Sequence, residues 1–210
     1  MSNAETKDTF IKPTLGSAET KEDVVDVQQR AIVTYGSRIK LEHLNTQYRL
    51  HSHKHDYPNG SKQQQVTCYS KEDDNDYWVV KPSVGNQQSL QLWQKPVQNG
   101  QTFMLQHYCT AAYLHSHENI ASAVTNQQEV TAHWNPHDNN SNWRLEVTGD
   151  NEGSIWKRGQ KIKLIHANTN VALHSHSHKY PNQQEVTGFA GRDANDFWFV
   201  SKVEKEAWYL

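Results

Sequence analysis

The chain of 210 residues fits one folded domain, with or without a tail. Only 35% of the residues are hydrophobic, so a core has to rely on the seven Trp and nine Tyr side chains. The formal net charge is −2, from 21 basic and 23 acidic residues, and no dense basic run occurs, so we expect neither nucleic acid nor an anionic membrane surface as a partner.

The first 30 residues are typical of a flexible tail. Residues 1–30 are polar, carry scattered charges and lack a sustained period of two or 3.6. They also lack the apolar stretch of a signal peptide, and no segment approaches the ~20 apolar residues of a membrane span, so direct membrane insertion is not expected. Cys68 and Cys109 do not indicate a disulfide framework, and their spacing leaves open whether they are bridged.

From residue 31 onward the chain repeats itself, with four landmarks in a constant order. A strand-like segment comes first, as GSRIKLEH, GQTFMLQH and GQKIKLIH. LHSH follows at residues 50–53, 114–117 and 173–176, and then QQQVT or QQEVT at residues 63–67, 127–131 and 183–187. Each repeat then has an Asp- and Asn-rich segment that leads to a Trp. The landmarks predict one folded unit over residues 31–208, with repeats at 31–92, 93–155 and 156–208.

Each repeat carries the patterns of β-strands. RIKLEH and KIKLIH alternate polar and apolar residues, and VTCY and YWVVKP are rich in β-branched and aromatic residues. Asn-Thr within HLNTQYRLHSH suits a hairpin turn. These patterns predict about four strands per repeat and about twelve in all. The fold class is therefore all-β, and three such units make a β-trefoil, since propellers typically need at least four blades.

The alternation within LHSH predicts which side chains enter the core. Residues i and i+2 of a strand share one face, so Leu and Ser point one way and the two His residues point the other way. The Asp and Asn side chains before each Trp are expected to hydrogen-bond the backbone of a turn. The predicted core residues are Leu50, Leu114, Leu173, Trp78, Trp143 and Trp198.

Together these landmarks resemble the MIR motif. The motif is named for protein mannosyltransferases, inositol trisphosphate receptors and ryanodine receptors, and it also occurs in the small ER-lumenal proteins of the stromal cell-derived factor family. LHSHKHDYPNGSKQQQVTCYSKEDDNDYW is similar to the first MIR repeat of protein O-mannosyltransferases, and LIHANTNVALHSHSHKYPNQQEVTG is similar to the third. The resemblance covers residues 31–208 and implies three MIR repeats folded as one β-trefoil.

The sequence departs from both relatives in ways that bear on function. It lacks the membrane spans and the acidic catalytic residues of the transferases, so the resemblance does not imply glycosyl transfer. It also lacks the signal peptide and the ER-retention tail of the small lumenal members. We therefore expect the ER lumen if the chain is an excised domain, and the cytoplasm if Met1 is the native start.

Histidines at alternate positions raise the question of a metal site. His51, His53 and His55 share one face of a strand, as do the equivalent histidines of the third repeat. Zinc requires three or four converging ligands with supporting hydrogen bonds. Because His51 and His53 belong to the repeated LHSH element, the fold explains them without a metal, and we expect neither a metal nor another cofactor.

Catalysis has weaker support in the sequence. His residues could be combined with Asp73, Asp74 or Asp193, but no Ser-His-Asp or Cys-His spacing is recognisable. Paired carboxylates close to a Trp are better explained by a turn. We predict a non-catalytic protein with no catalytic residues.

Ligand binding on the trefoil lobes is the favoured function. An aromatic side chain that stacks on a sugar, beside Asp, Asn, Gln or His groups that bind its hydroxyls, makes a shallow sugar site. Pro58 and Gly60 are expected to hold the Tyr57 ring at a pocket mouth. The second repeat lacks the Tyr-Pro pair and should bind least. The predicted ligand-binding residues are His51, His53, Tyr57, Gln63, Gln64, Asp74, His174, His176, Tyr180, Gln183 and Gln184.

The sequence is compatible with two kinds of partner. The resemblance to mannosyltransferases favours a sugar, a glycopeptide or an acceptor peptide, in protein O-mannosylation or ER quality control. The missing signal peptide favours a cytosolic scaffold that docks a protein partner within a larger assembly.

Overall fold

The computed structural model describes residues 31–86, 89–180 and 182–205. The predicted tail, residues 1–30, lies outside this range, as do residues 206–208 of the predicted domain. The described residues form twelve β-strands, three single-turn 3-10 helices and one four-residue helix, α1 (Ser89–Leu92). Helix is therefore nearly absent from the described chain, as the strand patterns predicted.

Each repeat supplies four strands, and we call the three units lobes 1, 2 and 3. Lobe 1 contains β1 (Arg38–His43), β2 (Arg49–Asp56), β3 (Gln64–Tyr69) and β4 (Tyr77–Pro82). Lobe 2 contains β5 (Thr102–His107), β6 (Tyr113–Ala121), β7 (Gln128–His133) and β8 (Trp143–Val147). Lobe 3 contains β9 (Ile162–His166), β10 (Ala172–Tyr180), β11 (Gln183–Phe189) and β12 (Trp198–Glu204).

The first and last strands of the lobes close a six-stranded barrel. They follow one another around the ring as β1, β4, β5, β8, β9 and β12, and β12 pairs with β1. Every pairing is antiparallel. A closed ring has no free edge, so these strands do not offer unpaired backbone groups to other chains.

The two middle strands of each lobe form a hairpin, and the three hairpins meet at one end of the barrel. β2 pairs with β3, β6 with β7, and β10 with β11. The second strands of the hairpins then pair with one another as β3–β7, β7–β11 and β11–β3. A six-stranded barrel closed by a triangle of hairpins is a β-trefoil, so the predicted fold is confirmed.

One Trp in each lobe ties the barrel to its hairpin. The side chains of Trp78, Trp143 and Trp198 have no exposed surface. The Nε1 of Trp78 donates a hydrogen bond of 3.0 Å to the Leu50 carbonyl, and the other two make the same bond to the Leu of their own LHSH element. These residues lie in the core, as the repeats predicted. Trp156, which the landmarks do not mark, is also fully buried.

A buried His at the end of the first strand of each lobe joins neighbouring lobes. In lobe 1, His43 Nδ1 lies 2.9 Å from Thr46 Oγ1, and its Nε2 lies 2.9 Å from the Asn195 carbonyl of lobe 3. Because a carbonyl only accepts, Nε2 carries the proton and Nδ1 accepts from the Thr hydroxyl. His107 and His166 repeat this arrangement at the other two junctions.

The Asp residues before each Trp hydrogen-bond the turn backbone, as expected. Asp73 accepts a hydrogen bond of 2.8 Å from Asn75 N, and Asp193 accepts one of 2.7 Å from Asn195 N. In lobes 1 and 3 this capping is reciprocal, since Asp76 and Asp196 accept from the backbone N–H of the capping residue. These short helices fix the position of the strand that follows.

The structure also answers two questions that the sequence raises, namely whether the cysteines are bridged and whether a helix could span a membrane. Cys68 is buried and Cys109 is exposed, and both are free thiols, so the two are not bridged. Within the described ranges, no helix has the length and apolar character needed to cross a bilayer.

Candidate ligand pocket between lobes 1 and 3

The QQ[QE]VT strands join the hairpins through their side chains. Thr131 donates a hydrogen bond of 2.6 Å from its hydroxyl to Gln63 Oε1 of the preceding lobe. The corresponding Thr hydroxyls of the other lobes donate to Gln127 and Gln183. The Gln and Thr positions of this motif therefore hold the trefoil together at its threefold centre.

At two of the three junctions, a Glu on one lobe holds the hairpin loop of the preceding lobe. Glu129 Oε1 of lobe 2 accepts a hydrogen bond of 3.1 Å from Ser61 N in the loop of lobe 1. Glu185 of lobe 3 accepts from Val124 N at 3.2 Å and from the Thr125 hydroxyl at 2.8 Å, both in the loop of lobe 2. Both carboxylates are buried by these contacts.

At the third junction the described residues make no such contact, and a pocket of about 610 Å³ opens there. Gln65 stands where lobes 2 and 3 have Glu, and its Nε2 donates to the Asp56 carbonyl of its own lobe at 3.0 Å. The lobe 3 loop that would face Gln65 is short, with two residues between Tyr180 and Gln183. The pocket therefore lies at the junction whose hairpin connection is the shortest of the three.

Both lobes line this pocket with aromatic and polar groups. Its lining residues are His53, His55, Asp56, Pro58, Gln65, Tyr180, Asn182 and Gln183. The rings of His53 and His55 stack at 5.9 Å with an interplanar angle of 17°. This combination of flat rings with amide and carboxylate groups suits a neutral polar ligand that also presents an apolar face.

The electrostatics of the pocket centre on His53. Its burial, together with the nearby His51 and His55, lowers its pKa, so the ring is neutral at pH 7. His53 Nδ1 is buried without a hydrogen-bond partner in the described part of the chain. Because this nitrogen is covered, the ring offers the pocket an uncharged surface and not this polar atom.

Five of the predicted ligand residues are buried in the fold instead of lining a pocket mouth, namely His51, Tyr57, His174, His176 and Gln184. Tyr57 is only 8% exposed, and its hydroxyl donates to the Val66 carbonyl at 3.0 Å. Burial also raises its pKa well above the usual range. His51 and His174 are each about 3% exposed. The prediction that Tyr57 stands at a pocket mouth is wrong, because its hydroxyl points inward to the Val66 and Val130 carbonyls and its ring packs on Tyr180.

The buried His51 and His174 show that the His face of LHSH is covered in lobes 1 and 3. His51 Nδ1 lies 2.9 Å from Asp76 Oδ1, and His174 Nδ1 lies 2.9 Å from Asp196 Oδ1. The Asp-rich turn packs over this face of the strand, so both faces are covered. Hydrogen bonds from His174 and from Lys163 outweigh burial and hold the pKa of Asp196 below its usual value.

Most of the predicted Gln residues and Asp74 are also used elsewhere. Gln63 accepts from the neighbouring lobe, and Gln64 Nε2 donates to Ser52 at 2.7 Å and to Thr110 at 2.8 Å. Gln184 is buried, and Asp74 is exposed on a single-turn helix outside the pocket.

His176, the remaining predicted residue, lies in lobe 3 away from the pocket. Its Nε2 is 3.3 Å from Glu185 Oε2, and its Nδ1 is 2.9 Å from His178 Nδ1. Of the eleven predicted residues, the structure therefore brings together His53, Tyr180 and Gln183 in the pocket.

Five lining residues are not among the predicted ligand residues, namely His55, Asp56, Pro58, Gln65 and Asn182. The sequence contains one signal that could have identified Gln65 and Asn182. QQQVT differs from the two QQEVT motifs at Gln65, and the third repeat lacks the Gly-Ser-Lys that follows Tyr-Pro-Asn in the first. Both differences break the symmetry at the same junction, which only the three-dimensional arrangement makes evident.

Two groups of side chains have the composition of a metal site, but the fold uses their donor atoms. One consists of His51, Asp73 and Asp76, and the other is its equivalent in lobe 3. In the first group, the carboxylate of Asp73 caps the helix and Asp76 accepts from both His51 and the Asp73 backbone. A cation would have to displace hydrogen bonds that hold the turn.

We predict that purified protein holds substoichiometric zinc after dialysis against a chelator. Elemental analysis of the dialysed protein measures this, and His55→Ala serves as a matched variant at an exposed ring. Retention of one zinc per chain that His55→Ala or His51→Ala releases would contradict the structural explanation of the histidines.

Comparison with known proteins agrees with the fold and the repeats. The MIR domain family matches residues 49–137. The chain is 38% identical to a stromal cell-derived factor 2-like protein of Arabidopsis thaliana over 177 residues, which cover 81% of this chain and 78% of that protein. The crystal structure of the SDF2-like protein from A. thaliana superposes with a TM-score of 0.77 at 36% identity, over 85% of this chain and 99% of that one.

A second solved structure places the same domain in a larger protein. It is a Saccharomyces cerevisiae protein O-mannosyltransferase complex bound to the sugar donor, and it superposes with a TM-score of 0.72 at 33% identity. The match covers 83% of this chain but only 26% of that one. The repeats, the trefoil and the extent of these matches agree: the chain belongs to the family of stromal cell-derived factor 2-like proteins, built on the MIR domain.

Proposed function

We propose that this protein is a non-catalytic binding module whose pocket between lobes 1 and 3 contacts a sugar, a glycopeptide or an acceptor peptide. The observation that carries the proposal is the pocket itself, which combines the rings of His53 and Tyr180 with the polar groups of Gln65 and Gln183. Rings supply flat apolar area for a ligand, and the amides select its orientation.

The context we propose is protein O-mannosylation or ER quality control. In support, this chain matches a domain of a protein O-mannosyltransferase complex bound to the sugar donor. The same relationship supports the ER lumen as the compartment of the protein. The pocket has a single carboxylate among its described lining residues, Asp56, whereas glycoside hydrolysis typically uses a pair, which supports binding without catalysis.

A protein-docking scaffold is the second candidate function. The observation that favours it is Trp134 in lobe 2, which is 77% exposed and contacts the ring of His133 at 5.6 Å. An exposed Trp is typical of residues that anchor protein interfaces. This surface is separate from the pocket, so the two functions can be tested independently.

A titration followed by NMR tests the proposed pocket. We expect mannose and a mannosyl-serine peptide to shift resonances of pocket residues, with dissociation constants in the millimolar to micromolar range, about −4 to −8 kcal/mol. His53→Ala and Tyr180→Ala should weaken these shifts without unfolding the protein, whereas Trp134→Ala should leave them unchanged.

The opposite result would contradict the proposed pocket function. If neither sugar nor peptide shifts pocket resonances at tens of millimolar, the pocket does not bind this class of ligand. If Trp134→Ala abolishes the binding of a purified protein partner in the same sample series, the scaffold function takes its place.

A further inference from the structure

The three hairpin loops of the trefoil are not equivalent, although the strands around them are. Five residues separate Tyr57 from Gln63 in lobe 1, and four separate Ser122 from Gln127 in lobe 2. At the corresponding place in lobe 3, residues 181–182 are the whole connection. Set beside lobe 1, the third loop lacks Gly-Ser-Lys, the sequence of residues 60–62.

The residues missing from lobe 3 are those that contact the next lobe in lobe 1. Ser61 N donates to Glu129 Oε1 at 3.1 Å. Gly60 has a φ of +67°, and a Cβ at this position would lie 2.4 Å from Glu129 Oε2. The loop backbone is therefore packed directly against the carboxylate, a distance that only glycine permits.

The loop of lobe 2 occupies its junction with the same chemistry. Its Val124 N–H and Thr125 hydroxyl both donate to Glu185. In both filled junctions the inserted segment is a short turn that donates a backbone N–H to the Glu. In lobe 2 the Thr125 hydroxyl donates to the Glu as well, whereas the Ser61 hydroxyl of lobe 1 accepts from Gln63 N of its own loop. At two junctions, therefore, a turn of the chain itself fills the space between lobes, which indicates the kind of ligand that would fit the third.

We infer that the open junction between lobes 1 and 3 binds a peptide turn from another molecule, one that contains a Ser or Thr residue. The turn takes the place that loops of the chain fill at the other two junctions. This inference rests on the proposed function and specifies its ligand, because it makes a peptide backbone the main contact. A sugar attached to the hydroxyl residue would add to that contact.

Gln65 suits such a ligand better than Glu would. A carboxylate only accepts hydrogen bonds, and at the other junctions Glu129 and Glu185 are matched with donors of the same chain. An amide both accepts and donates, so Gln65 can accept from a backbone N–H and can also donate to an oxygen that is already glycosylated. Its neutrality also avoids burying an unpaired charge while the pocket is empty.

Peptide titration with the full chain tests this inference. The probe is the acetylated and amidated peptide Ala-Val-Thr-Asn, the sequence of residues 123–126, compared with its Thr→Ala form, its O-mannosyl-Thr form and free mannose. We expect the Thr peptide to shift the resonances of Gln65, Tyr180 and Asn182. The Thr→Ala peptide should bind about fivefold more weakly, since it loses the hydroxyl that donates a hydrogen bond at the lobe 2 junction.

A loop insertion provides the decisive variant. Inserting Gly-Ser-Lys after Asn182, together with Gln65→Glu, rebuilds the junction of lobe 1 and should abolish peptide binding by filling the pocket. The same insertion after Asp150, in an exposed turn, is the matched control and should leave binding unchanged. Gln65→Ala, which keeps the loop as it is, should weaken the binding of the Thr peptide about fivefold to tenfold.

The outcomes separate the two proposals. If mannose shifts the pocket resonances and no peptide does, the peptide inference is wrong and the sugar-binding function stands. If neither binds, both are wrong. If the peptide binds equally well to the variant with the rebuilt junction, its site lies elsewhere and the inference fails.

Discussion

Replacing Trp78 by Ala should lower the free energy of unfolding by about 3–5 kcal/mol, as large aromatic-to-Ala changes in protein cores do. The ring is fully buried, so its removal leaves a cavity between the barrel and its hairpin. It also leaves the Leu50 carbonyl without the hydrogen bond from Trp78 Nε1. Domains of this kind have a total stability of about 5–15 kcal/mol, so a large share of it depends on one side chain.

Urea denaturation at pH 7 measures this loss, with two matched variants. Trp78→Phe keeps most of the buried ring but loses the N–H donor, so we expect an intermediate loss of about 1–3 kcal/mol. Trp134→Ala removes a Trp that is 77% exposed and should change stability by less than about 0.5 kcal/mol. A loss below about 1 kcal/mol for Trp78→Ala would contradict its role in joining the barrel to the hairpin.

Acid should destabilise the protein from about pH 6.5 downward, well above the range in which carboxylates titrate. Burial lowers the pKa of His43 and of His107 to about 4, although the backbone carbonyls that they contact act in the opposite direction. In the unfolded chain, the pKa of a His is about 6.5. Between these values the unfolded chain binds a proton that the folded chain excludes, so stability falls as the pH falls.

Each of these two His rings should lower the free energy of unfolding by about 2 kcal/mol at pH 5 and by about 3 kcal/mol at pH 4. Below pH 4 this loss levels off, because the folded ring is protonated as well. Urea denaturation at pH 7, 6, 5 and 4 gives the slope. His107→Gln keeps a donor for the Asn75 carbonyl and removes one titrating ring, so its slope should be smaller. His137→Gln, at an exposed position, is the control and should keep the full slope. Equal stability at pH 7 and pH 5 would show that the rings are protonated in the fold.

The sequence determined the fold of this protein because the fold is built from a repeated local pattern. Alternating polar and apolar residues specify each strand without reference to distant parts of the chain. The recurrence of Leu50 and Trp78 in later repeats identifies core positions, since a threefold fold places equivalent residues in equivalent surroundings. The Asp-rich segment predicts its own turn, because Asp73 bonds an N–H only two residues further on.

The location of the pocket depended on contacts between residues that lie far apart in the sequence. Gln65 and Tyr180 line one pocket although they belong to the first and third lobes. Burial of His51 depended on a turn that folds back over its strand, and burial of Tyr57 depended on contacts with Val130 and Tyr180 of the other two lobes. No local periodicity encodes such contacts.

The parts of the repeats that agree and the parts that differ therefore bear on different features of the structure. Where the three repeats agree, the sequence alone determined the barrel, the hairpins and the core, because each repeat needs only its own residues to specify them. Where the repeats differ, at Gln65 and in the loop at residues 181–182, only the tertiary structure showed that the two changes meet at one junction. The physical reason is that a pocket forms where packing is incomplete, and packing is decided by neighbours in space, not by neighbours in the chain.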